Sequence, residues 1–133
     1  MLIFAWLFFY AVEPQEENPT LNENGPIITD DPLYCLLREG KIDEFNARRQ
    51  AGALTDLRQC DFRGSDLRGM DASGLDLRDA YLRGADLRGL DLRETNMRGA
   101  SLAQAHISGT YFPVDLDAQE IIMSVQHGTR LRY

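Results

Sequence analysis

Between Ala53 and Val114 the apolar positions fall on a strict period of five. Leu57, Phe62, Leu67, Ala72, Leu77, Leu82, Leu87, Leu92, Met97, Leu102, Ile107 and Phe112 form twelve consecutive slots. The residue before the slot is Asp at 56, 61, 66, 71, 76, 86 and 91. The residue after it is Arg at 58, 63, 68, 78, 83, 88, 93 and 98, and the next is Gly at 64, 69, 74, 84, 89, 99 and 109. Seven of the eleven glycines share that one register, so the repeat is not an accident of composition. The period excludes the two common elements. Five residues on an α-helix turn through about 500°, which spreads the apolar side chains round the whole circumference. On a flat strand an odd period sends alternate slots to opposite faces. A short extended piece followed by a corner does bury the stripe. The slot and the residue two before it point in, and the Asp points out. Arg and Gly then make the bend, Gly because tight corners often need a positive φ. Coils of this kind stack backbone on backbone, as solenoids do.

The Ala-Asp-Leu-Arg-Gly of 85–89 is an instance of the motif A(D/N)LxG, and on it residues 55–114 resemble the pentapeptide-repeat family. The resemblance implies an all-β domain: a right-handed quadrilateral β-helix with four repeats per coil, hence about three coils here, to which the residues at its two ends add helical caps. Residue sizes support a coil of that length. The inward residues Cys60, Ala80 and Ala100 are all small, as are Ser65, Ala85 and Ala105, whereas Met70 and Leu90 are both large. Met70 shares its repeat with the undersized Ala72, so a large residue compensates for a small one.

A solenoid exposes core and sheet edge at its ends and needs caps. Upstream, Asp31-Pro32 is a good helix start, with Leu33, Leu36 and Leu37 on one face before Gly40. A second short helix over about 41–50 offers Ile42 and Phe45. Downstream, Pro113 ends the ladder. Asp117 with Glu120 then suggests a capping box for a helix bearing Ile121, Ile122 and Val125 and ending near Gly128, followed by an extended tail, Thr129 to Tyr133. The chain thus divides into an apolar segment (1–12), an acidic linker (13–30), a helical N-cap (31–52), the coil (53–114) and a C-terminal cap and tail (115–133).

Charge narrows the range of partners. The net charge of the 133 residues is −7, which argues against direct nucleic-acid binding, since that needs a basic surface. Most of the net negative charge lies in residues 1–52, with nine Asp/Glu against four Lys/Arg, while 53–114 carries nine against eight. Cys35 and Cys60 are too few for a disulfide-stapled secreted domain and lack a CxxC partner, so they are read as reduced thiols of a cytoplasmic protein, with no zinc site. The run Met1 to Val12 is too short to span a membrane and has no basic flank for a secretory signal. Three readings of it compete: an anchor at the cytoplasmic face of a membrane, a peptide docked on protein, or a mis-called start.

Nothing in the sequence assembles a catalytic site, a metal site or a cofactor site, and the protein is expected not to be an enzyme. His106 and His127, its two histidines, sit in an outward slot and a last helical turn. The repeats explain the aspartates as outward residues neutralised by arginines two positions away, and exposed pairs of that kind contribute little apiece. Asp86, for one, is expected to matter little to stability. Tyr81, His106 and Tyr111 replace Asp at outward slots, and with Arg83 and Arg88 they are the candidate partner-binding residues, because exposed aromatics and arginines favour interfaces. The expected function is a rigid protein–protein interaction or scaffold module whose partner is a protein or a second copy of the chain. The alternative, which comes from the resemblance, is a DNA mimic that modulates DNA gyrase.

Overall fold

The computed structural model describes residues 25–133. Met1 to Val12 and most of the linker therefore lie outside the described residues. The twelve slots behave as the period demands. From Leu57 to Leu102 every slot is buried, and Ile107 and Phe112, in the last coil, are half-buried. The residues two before the slot, from Cys60 to Ala105, are buried as well.

Each corner is closed by a backbone bond from the residue three after a slot to the slot's carbonyl, as from Ser65 N to Phe62 O (3.1 Å) and from Leu90 N to Leu87 O (3.1 Å). Gly at the third corner position takes a left-handed φ, +71° at Gly64 and +76° at Gly89, which L side chains tolerate poorly. Where the same position is Gln59, Asp79 or Gln104, the chain adopts that φ regardless (62°, 60° and 58°).

Four corners bring the chain back over itself after twenty residues. Parallel bridges join Asp61 to Tyr81 and Tyr81 to Ser101, Asp66 to Asp86 and Asp86 to His106, Asp76 to Asn96, and Asp91 to Tyr111. The coil thus has four sides. The first holds 55–57, 75–77 and 95–97; the second 60–62, 80–82 and 100–102; the third 65–67, 85–87 and 105–107; the fourth 70–72, 90–92 and 110–112. The all-β expectation is met only in part. Among the described residues there are three α-helices and no strand, only isolated bridges. A corner every five residues leaves one residue per side able to exchange both of its bonds with the coil above or below.

Helix α1 (Pro32–Arg38) starts on the Asp31 side chain, which accepts from Leu33 N, and buries Leu33, Tyr34, Leu36 and Leu37. Helix α2 (Ile42–Gln50) buries Phe45. Tyr34 packs on Phe62, ring centroids 5.3 Å apart, and its hydroxyl donates to Asp61 O. The end of the linker is paired as well: Ile27 forms a parallel bridge with Cys60. Helix α3 (Ala118–His127) ends at Gly128 in a left-handed conformation. Its start differs from the expected capping box. Asp117 does cap, accepting from Gln119 N, but the Glu120 carboxylate instead receives Arg132. Ile121 and Val125 pack on the core, Ile122 is 47% exposed, and the helix's buried residue is Ser124.

Candidate functional site

The outer surface of the coil is built from the Asp-x-Arg unit, and its geometry recurs. In each of Asp56, Asp61, Asp66, Asp76, Asp86 and Asp91, Oδ1 accepts from the backbone N–H and the Nε of the arginine two residues on, while Oδ2 accepts from its Nη2. The carboxylate therefore does two things. It satisfies a corner N–H that no other backbone group reaches, and it holds the guanidinium in a two-point ion pair. Asn96 supplies the first of these to Arg98 N without a charge. The arginine hydrogen bond holds each of these Asp carboxyls below its usual range, Asp56 and Asp91 at about 2.

The pairs also lock between coils. Arg68 Nε lies 3.3 Å from Asp86 Oδ2 while Arg88 holds the same oxygen at 2.7 Å, so Asp86 is shared by two cations and its side chain is 15% exposed. The expectation that Asp86 simply faces solvent is therefore corrected. Asp61 is buried, under Tyr34 of α1.

The five candidate residues fall on three sides of the coil. Tyr81 lies on the second side with Arg130 of the C-terminal tail over its ring, 4.8 Å from the centroid, and 2.8 Å from its hydroxyl. Tyr111 is on the fourth side, 59% exposed, with Arg93 5.1 Å from its centroid. His106 is exposed on the third side and bridges to Asp86 beneath it. Arg83 and Arg88 stand at the two corners that flank that third side. Arg88 is bound to Asp86, but Arg83 has Tyr81 where its neighbours have a carboxylate and makes no ion pair among the described residues. Arg98, which has Asn96 in place of the Asp two residues before it, turns to Tyr133 instead. The third side therefore collects His106, Arg83 and Arg88 around Asp66 and Asp86, and leaves Tyr81 and Tyr111 on the adjoining sides.

Among the described residues no group of three His, Cys, Asp or Glu could hold a metal ion, and no helix is long and apolar enough to cross a membrane. Cys60 is buried, and burial pushes its thiol up to about 11.

A twenty-residue coil with four glycine-rich corners and an Asp-x-Arg surface defines a class of short-repeat solenoid. The model of the pentapeptide-repeat family matches residues 54–89 and 76–112, in eight copies, so this segment is built of pentapeptide repeats. Proteins of this family are generally non-enzymatic and commonly serve as scaffold or interaction modules. Comparison with curated proteins and with solved structures returned no match.

Proposed function

We propose that this chain is a non-enzymatic interaction module and that the third side of its coil, with Asp66, Asp86 and His106 in a column, is the surface a protein partner meets. The observation that carries the reading is Arg83. It is exposed at the edge of that side and makes no ion pair among the described residues, so it is available to take a partner's carboxylate in two-point geometry. Around it the side chains are already fixed by the Asp66, Arg68, Asp86 and Arg88 lattice. A surface ordered in advance loses little side-chain entropy on binding.

Cross-linking of the full chain in cell extract, read by mass spectrometry, tests the reading. Cross-links of the retained partner are expected on the third side, and Arg83→Glu should weaken retention by about tenfold or more without moving the melting temperature. Cross-links confined to the first side, or retention indifferent to Arg83→Glu, would contradict it.

A further inference from the structure

We propose that the protein partner turns the corner at Arg83 onto the second side of the coil, and that it does so with an acidic segment, one of whose carboxylates takes the place that Asp holds in the other repeats. The inference rests on a partner meeting the third side as above; it names the group that the partner brings and the second face that it covers.

Eight arginines follow a slot in the coil, and seven of them are held. Six give the backbone N–H, Nε and Nη2 to the Asp two residues before them. Arg98 gives its N–H to Asn96 and its Nε to Tyr133 O. Arg83 is the exception. Tyr81 stands where the Asp would, and its hydroxyl meets Nη2 of Arg130 at 2.8 Å. The N–H and the guanidinium of Arg83 have no acceptor among the described residues. Yet the corner itself is built like the others. Gly84 takes a φ of +68°, against +71° at Gly64 and +76° at Gly89, and its N–H donates to Ala103 O as that of Gly64 does to Arg83 O. The backbone that presents these donors to a carboxylate six times over is repeated here. What fits it is a planar, two-oxygen anion.

The charge around Tyr81 selects the same ligand. The first, third and fourth sides each carry two Asp at their outward positions, whereas the second carries Asp61, Tyr81 and Ser101. Asp61 is buried and bound to Arg63. Asp79, at the far corner, lies with its carboxylate against Gly99 and makes no ion pair among the described residues. Four arginines gather on this side. Arg63 is neutralised by Asp61, Arg38 reaches Arg63 O and Ser65 Oγ, and Arg130 meets Gly99 O and the Tyr81 hydroxyl. With Arg83, three of the four have no carboxylate partner among the described residues. The net charge of −7 repels a polyanion at a distance, while one carboxylate seated on Arg83 acts well inside the Debye length of about 8 Å. A short acidic segment of a protein therefore fits this side better than a nucleic acid does. Tyr and Arg together are also what protein interfaces favour.

The test uses the full chain labelled with nitrogen-15 and a capped heptapeptide with one central Glu, followed by NMR at millimolar peptide. The Arg83 backbone and Nε signals are expected to shift with this peptide and to stay in place with its Gln counterpart. Arg83→Gln, and Tyr81→Asp, which supplies the acceptor from within the repeat, should each weaken binding by about tenfold or more. Silence at Arg83, an equal response to the Gln peptide, binding that survives Tyr81→Asp, or a stronger response to a short single-stranded DNA would overturn the proposal. Partner cross-links on the third side with Arg83 silent to the peptide would sink this inference and leave the partner-facing side standing. The peptide shift without any third-side cross-link would do the reverse.

Discussion

At the scale of single residues, Asp86 shows what the repeated carboxylate is for. The motif places an Asp outside the core, and the sequence alone reads it as one half of a dispensable surface pair. In the folded chain the same carboxylate also accepts the N–H of Arg88 at the corner and draws in Arg68 from the coil below. Asp two residues before a turn N–H is a known backbone-bonding pattern, so the signal was present in the Asp-x-Arg spacing but obscured by the ion pair. Asp86→Ala is accordingly expected to lower the melting temperature by several degrees. Asp86→Asn, which keeps the corner bond as Asn96 does, should recover part of the loss; equal melting of all three proteins would show the corner bond to be idle.

The row as a whole sets an acid response. Arginine bonds depress the folded pKa of these Asp carboxyls below the unfolded value of about 3.9. Their stabilisation is therefore full above about pH 5 and is lost as pH falls through 4 towards 2. Thermal melts should be flat from pH 8 to 5 and then decline. A melting temperature unchanged at pH 2.5 would contradict the coupling.

At the scale of elements, the coil and the positions of all three helices were legible in the sequence because both obey periodicities, five for the coil and the helical spacing for Leu33, Leu36 and Leu37. The way the caps grip the coil was not legible, because it depends on single polar side chains. Arg38, Asn46 and Arg49 read as ordinary surface residues of short helices, yet each closes a carbonyl on the lower edge. Ser124 reads as a polar interruption in an apolar helix, yet it is fully buried and accepts from Leu102 N at 2.8 Å. Ser124→Ala strands that buried N–H and is expected to cost about 1–3 kcal/mol in chemical denaturation. Ser124→Thr, which keeps the hydroxyl, should cost less than Ala unless its extra methyl clashes in the buried site. A neutral Ser124→Ala would mean that the helix sits on the coil by apolar contact alone, through Ile121 and Val125. The tail was readable only as extended. Its antiparallel course along Gly99 to Ser101 rests on backbone groups that no side-chain pattern encodes.

At the scale of the whole molecule, the question is what the surface looks like to a partner at a distance. A DNA mimic needs a long negative face at the charge spacing of a duplex, about one per 1.7 Å. Here the coil's nine acids are set against eight arginines, and six of those acids are bound to arginine side chains. Beyond a Debye length of about 8 Å such pairs largely cancel. The last coil from residue 99 to 114 has no charge at all, which shortens any negative face further. The surplus acid lies in residues 1–52, outside the lattice. The coil is therefore charge-compensated, and a gyrase supercoiling assay tests that most directly. With the full chain at micromolar concentration, from low to physiological salt, supercoiling is expected to proceed unchanged. Inhibition that weakens steeply as salt is raised would contradict it.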